Sequence, residues 1–409
     1  MQILLLEMKR VVKSRMTWIP LLVAAALSVM ISFSVISDAQ YLSVDQDGKA
    51  VKITGMDAIR ASKEQARPYE GTVTEAKLRD ALAVFQNVSR KYGEKIPTAE
   101  FYNKLVPPSY FLNMIGTVYA GGGEEQDALG KVNPDDVGGF YRRRSEVLKN
   151  DLEAKYPGSQ DVVRQARKLN DKVRTPFVFQ DGYTSDNAAN LCVLIFLLVL
   201  IGAAVVSGTF AADYQNGSDD ILRCTKNGHV KFAVAKLCSS VLIVLAMFAV
   251  CILIFVLSVD SAYGWDSLRT SVQVLFPLSF LPFTVGQAQG ATVLAGLLTL
   301  LAAVCFALFA SAKCRHPTTA LTIVLAFCIL PAILHSVADG NIADFLTCVL
   351  PTGGAGISHN FFNQLNQSAF VQIGPFRVWA PYLTIGAAIL EIPLFFVLSI
   401  RAYCRHQAA

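Results

Sequence analysis

The chain has 409 residues, 53% of them hydrophobic and 16% charged, with a formal net charge of +5. Soluble domains carry about a quarter of their residues as charges, so this composition excludes an ordinary soluble globular protein, and it gives no ground for a nucleic-acid partner. Residues 38–189 hold 22 Lys plus Arg and 22 Asp plus Glu, which places the whole basic excess in the rest of the chain.

Residues 1–17 read as a cytoplasmic amphipathic helix, with Leu4, Met8, Val11 and Val12 on one face and Lys9, Arg10 and Lys13 on another. Such a helix lies in the membrane interface beside anionic lipid. Six apolar runs follow: Trp18 to Ser37, Ala189 to Ala211, Leu237 to Val259, Gly290 to Ser311, Thr318 to Ala338 and Val378 to Ile400. Each matches the ~20 residues that cross about 30 Å of hydrocarbon. Ser37-Asp38-Ala39 resembles the cleavage site of a secretory signal peptide, but the first run is too long for one and five more follow. The predicted class is an all-α polytopic membrane protein with six transmembrane helices. A mainly helical extracytoplasmic domain, residues 38–188, separates the first two.

Charge sets the expected topology. Lys9, Arg10, Lys13 and Arg15 precede the first run, and Arg223, Lys226, Lys231 and Lys236 join the second to the third. Lys313 and Arg315 join the fourth to the fifth, and Arg401 and Arg405 follow the sixth, whereas the alternate short loops carry only Arg269 and Arg377. The positive-inside rule then places both termini in the cytoplasm of a plasma-membrane protein and residues 38–188 outside. All nine cysteines fall outside that domain, so it must be held by its own core rather than by disulfides.

Within the domain, Thr72-Val73-Thr74-Glu75 offers N-cap chemistry. Leu78, Leu82 and Phe85 follow at helical spacing until Gly93, and a second helix starts at Thr98. Gly121-Gly122-Gly123 marks a break, residues 159–174 form a charged amphipathic helix, and Arg142-Arg143-Arg144 reads as a solvated charged face. Val274 to Gly286 and Ile342 to Leu350 are too short to span and are expected to be re-entrant or interfacial, in exterior loops 260–289 and 339–377. Glu391 is a carboxylate well inside the sixth run, so it should be protonated, paired or facing an aqueous path; His335 near the outer end of the fifth run is a candidate partner, although a lone His at a span end is more often satisfied locally.

Signatures of catalysis are absent. No HExxH and no metal-spaced His/Cys cluster occurs, and Gly130-Lys131 lacks the earlier glycine and the following Ser or Thr of a phosphate-binding loop. Gly356-Ile357-Ser358-His359 only faintly resembles an intramembrane serine protease: Ser358 lacks the following glycine, His359 is in a loop, and a catalytic base would have to converge from another helix. No catalytic residue, metal or cofactor is expected on this chain.

The segment 212–236 carries the most specific pattern. Asp213 leaves the membrane, Gly217 makes a turn, and Ser218-Asp219-Asp220-Ile221-Leu222-Arg223 forms a short amphipathic knob before Lys226 and Lys236. Such a knob suits a groove on a partner. This order resembles the permease subunits of type-2 ABC exporters, in which an acidic residue, a glycine, a short coupling helix and a Lys before the third span recur. The resemblance extends to the N-terminal helix, the domain between spans one and two, and Leu350-Pro351 before the last helix. Asp213 replaces the common Glu, and Ser218 the common Thr. The resemblance implies that Asp213, Gly217, Asp220, Ile221, Leu222, Arg223 and Lys226 couple the chain to a separate ABC ATPase subunit carrying ATP and Mg. It also implies a second permease copy or paralogue. The expected function is outward movement of an amphiphilic or peptide-like substrate. A membrane sensor with a ligand-binding exterior domain, or a channel, is the alternative, and a sensor would need a cytoplasmic output domain larger than these segments.

Overall fold

The computed structural model describes residues 2–13, 15–44, 50–93, 95–120, 125–225, 228–338, 340–356 and 359–406. Six helices long and apolar enough to cross a membrane stand where the six apolar runs lie, and the all-α polytopic reading holds. They are Thr17–Ser37, Ser185–Gln215, Val230–Tyr263, Val285–Lys313, Pro317–Val337 and Ala380–Arg405. The third has 34 residues, about 50 Å at 1.5 Å per residue, against about 30 Å of hydrocarbon. It therefore emerges at both ends of the bundle, and Lys236 and Asp260, which the apolar run excludes, belong to it.

Spans two and four form the centre, each with 61% of its apolar window buried, against 22% for spans one and five and 17% for span six. Small residues let the central helices approach. A Cβ on Gly202 would stand 2.8 Å from both Leu300 and Val244, and one on Gly296 2.7 Å from Ile195. Close backbone contact of this kind replaces the hydrophobic drive that lipid does not supply. The outer helices turn Leu22, Phe33, Phe327, Leu390 and Leu394 outward.

The N-terminal helix Gln2–Lys13, the short helices after span two and the end of span six meet at one end of the bundle. The insert between spans one and two caps the other. Its helix Glu75–Tyr92 begins at Thr74, whose hydroxyl accepts from Lys77 N, and ends at Gly93 with φ +59°. The insert also holds an antiparallel hairpin, Gln40–Val44 with Ala50–Thr54, which the helical reading did not anticipate. The break expected at Gly121-Gly122-Gly123 lies outside the described residues. Leu78, Leu82, Phe111, Met114, Phe140 and Phe177 make the insert's core, and Val274 from the loop between spans three and four completes it.

The insert is bound to the loops of the bundle through backbone groups. Tyr156 Oη donates to Ser368 O at 2.7 Å and accepts from Phe370 N at 3.0 Å, and Asp161 accepts from Arg377 N at 2.7 Å. The main clamp is Arg144, only 2% exposed. Its guanidinium donates to Pro277 O at 2.7 Å, Ser279 O at 2.5 Å and Asn170 Oδ1 at 2.9 Å, and lies 5.4 Å from the Phe177 ring centroid. The solvated face expected for the triple arginine is thus corrected at this position. On helix Phe140–Lys155 the three arginines point in different directions, and Arg144 falls on the same face as Phe140, Leu148 and Leu152. Burial pushes its pKa down to about 10, so it remains charged at neutral pH.

Arg144→Leu would strand the carbonyls of Pro277 and Ser279, and a loss of about 3 kcal/mol is expected. Arg144→Lys should recover only part of it, because a point charge cannot reproduce the planar fork. Thermal unfolding and limited proteolysis of the insert check both; an unchanged melting temperature for the Leu variant would remove the clamp.

Candidate functional site

The segment after span two is built by interrupting a helix. Ser185–Ser207 ends at Gly208, and the chain turns and resumes as Ala211–Gln215. The amides exposed by that break are met by Ser311 of span four, whose Oγ accepts from Phe210 N at 2.9 Å and Ala211 N at 3.2 Å. Gly217 then adopts φ +65°, a left-handed turn that glycine makes without strain, and helix Ser218–Arg223 follows.

The break carries Asp213 inward. It is 2% exposed, and its carboxylate takes Arg10 Nη2 at 2.9 Å on one oxygen and Lys236 Nζ on the other. Glu7 joins Arg10 at 3.8 Å, so two acids and two bases neutralise one another. The Lys236 ammonium also stands over the rings of Phe210 and Phe232, 5.3 and 5.7 Å from their centroids. Partial burial opposes the charge on Arg10, but the hydrogen bond and charge of Asp213 more than offset it, and its pKa stands above the ordinary value. Sequence reading placed Lys236 among the loop cations. Its burial was legible only in its position four residues after Phe232 on an apolar helix.

The short helix is tied to the end of span six. Arg223 donates to the carbonyls of Tyr403 and His406, pairs with buried Asp219 at 3.6 Å, and lies 4.8 Å from the Tyr403 ring centroid. Tyr214 stacks on His406 with centroids 3.9 Å apart, and Tyr403 Oη donates to Gly228 O at 3.1 Å. Leu222 packs inward on the bundle core. Asp220 and Ile221 face outward, and Ile221 is 75% exposed. The two apolar residues of the knob therefore face opposite ways, and Arg223 is an anchor. Lys226 lies outside the described residues.

Of the basic N-terminal residues, Lys9 and Lys13 are exposed while Arg10 reaches the Asp213 cluster. Glu391 follows Thr384 and Ala388 and precedes Phe395, Ser399 and Ala402 along one stripe of span six whose other members are buried or partly buried against the bundle. No hydrogen bond or ion pair engages it among the described residues. His335 is not its partner: the ring faces His359, with centroids 4.8 Å apart, and His359 Nε2 is 3.8 Å from Cys348 Sγ. Burial and the neighbouring His335 push the His359 pKa down to about 4. Sequence reading missed Asp260. It is 1% exposed, and both its oxygens accept from Gln289 Nε2, at 3.3 and 3.1 Å. The apolar run ends at Val259, but the helix continues to Tyr263 and keeps Asp260 inside.

The family model described as ABC-2 family transporter protein matches residues 15–401, nearly the whole chain, and the chain belongs to that family. No curated protein matches it. Membership makes the chain a multi-pass transport permease and implies an ABC ATPase partner.

Removing one member of the buried pair leaves the other uncompensated, so Asp213→Asn and Lys236→Met should each cost roughly 3–5 kcal/mol. The double variant should lose clearly less than the sum. A thermal-unfolding double-mutant cycle in nanodiscs tests this, and strict additivity would show that the two charges do not interact.

Proposed function

We propose that this ABC-2 family chain is the permease subunit of an ATP-driven exporter, which moves an amphiphilic or peptide-like substrate outward. A separate ATPase binds and hydrolyses ATP with Mg, since this chain has no phosphate-binding loop of its own, and a second copy or paralogue completes the pathway. The observation that carries the reading is the split personality of helix Ser218–Arg223. Its inner face is bolted to span six through Arg223 and to the core through Leu222, while Asp220 and Ile221 project from it. A partner that grips the projecting residues would act on the helical bundle without an intervening flexible loop.

The same reading sets the sidedness. Arg10, Arg223, Lys236, Lys313, Arg315, Arg401 and Arg405 belong to the end of the bundle that carries this helix, which supports a cytoplasmic position for that end and for both termini. The insert would then be extracytoplasmic. Lys9 and Lys13 would meet anionic headgroups. Glu391, on the bundle-facing stripe of span six, and His335, at the far end of span five, would belong to the pathway and its outer mouth respectively.

Ile221→Ala should weaken capture of the ATPase about tenfold, near 1.4 kcal/mol. Leu222→Ala should instead lower the stability of the permease through lost packing. Copurification and thermal unfolding read the two separately; a folded Ile221→Ala protein that retains the ATPase at wild-type level excludes this helix as the contact.

In an otherwise cysteine-free chain, an impermeant thiol reagent applied to intact cells should label a cysteine introduced at exposed Arg142 and miss the native exposed Cys224. The opposite pattern would invert the topology.

A further inference from the structure

A cavity of about 620 Å³ lies away from the helix just discussed, where the insert meets the ends of spans one, two and three. Its volume falls in the range of about 300–1,000 Å³ typical of small-molecule sites. The charged side chains on its wall are all acidic: Asp38 just after span one, Asp181 in the bend that leads from the insert to span two, and Asp186 in the first turn of span two. Each is fixed differently. Ser34 Oγ donates to Asp38 at 2.7 Å and Ser62 Oγ to Asp181 at 3.1 Å, whereas no hydrogen bond or ion pair engages the Asp186 carboxylate among the described residues. Lys63, whose charge acts on Asp181, is not among the residues of the wall, and Glu70, whose Oε1 accepts from Asp181 N at 3.2 Å, adds to the negative side.

Backbone electrostatics point the same way. Spans one and three both end at this cavity, at Ser37 and Tyr263, and bring the negative ends of their helix dipoles to it. Span two begins there, and Asp186 offsets its positive end. The rings of Tyr41, Tyr110 and Tyr263 complete the wall with faces suited to an organic cation.

We propose that this cavity receives an organic cation, an ammonium whose charge is held by Asp38, Asp181 and Asp186. The assignment narrows the substrate class of the exporter reading and rests on it only for the direction of travel.

The test uses the full chain in zwitterionic nanodiscs and two dansyl probes of opposite charge, monodansylcadaverine and dansylglycine, followed by fluorescence anisotropy against empty discs. The wild type should bind the amine saturably and the anion at least about tenfold more weakly. Asp38→Asn with Asp186→Asn should weaken the amine about tenfold or more, and Asp38→Glu with Asp186→Glu should keep most of the binding. Both sites are exposed, and thermal unfolding checks that the variants are folded. Uptake equal to that of empty discs, equal affinity for the anion, or unchanged binding in the double Asn variant would each overturn the proposal. The assay contains no ATPase. Intact cation binding alongside failed ATPase capture would therefore count against the exporter reading and leave the cavity assignment standing.

Discussion

The buried pair of Asp213 and Lys236, with Arg10 on its second oxygen, is the contact on which the arrangement of one whole end of the molecule depends. Three separate pieces of chain, the N-terminal helix, the break after span two and the start of span three, are tied by one carboxylate. Asp213 and Lys236 would each be costly alone, since stripping water from an isolated ion costs several kcal/mol, while Arg10, its side chain 54% exposed, balances the charge from the edge of the cluster. That makes the pairing a register device as much as a source of stability. If the N-terminal helix slid by one residue, Arg10 would leave Asp213 and the cluster would carry an unbalanced acid.

At the opposite end the fold uses a different device. The insert is joined to the bundle by side chains that seek backbone carbonyls and amides: Arg144 on Pro277 and Ser279, Tyr156 on Ser368 and Phe370, and Asp161 on Arg377. Pro277 and Ser279 lie in the irregular stretch after the short helix Val272–Leu275, and Ser368, Phe370 and Arg377 lie in or beside the hairpin Phe370–Ile373 with Phe376–Trp379, so backbone groups there are outside any helix. The insert satisfies them, and in return Val274 enters its core.

The six spans were legible because 20 apolar residues in a row have almost no other explanation, and helix Glu75–Tyr92 was legible because its cap and its Leu78–Leu82–Phe85 spacing agree. The position of the short helix after Gly217 was legible from order and turn chemistry. What sequence did not disclose was direction: Ile221 and Leu222 are adjacent and equally apolar, and only the tie of Arg223 to Tyr403 determines which of them faces outward. Arg144 and Asp260 were hidden for a related reason. A charge is read as exposed unless its partner is known, and their partners are backbone carbonyls and an amide more than 25 residues away. The pairing of His335 with His359 instead of Glu391 also follows from tertiary placement, since His359 lies in a loop that approaches the end of span five.

The two polar sites lie at the two ends of the same pair of helices. Span two begins with Asp186 and Asn187 on the wall of the large cavity and ends with Asp213 in the charge cluster, and span three begins near Lys236 and ends with Tyr263 on the cavity wall. Between them the two helices meet closely at one point, where a Cβ on Gly202 would stand 2.8 Å from Val244, which couples their movement. A displacement of helix Ser218–Arg223 by a partner would therefore be delivered to the cavity as a shift of two helix ends, in opposite chain directions, against an insert clamped to the neighbouring loops. On the exporter reading, that geometry makes the volume of the acidic chamber, rather than the width of a continuous pore, the quantity that the ATPase controls.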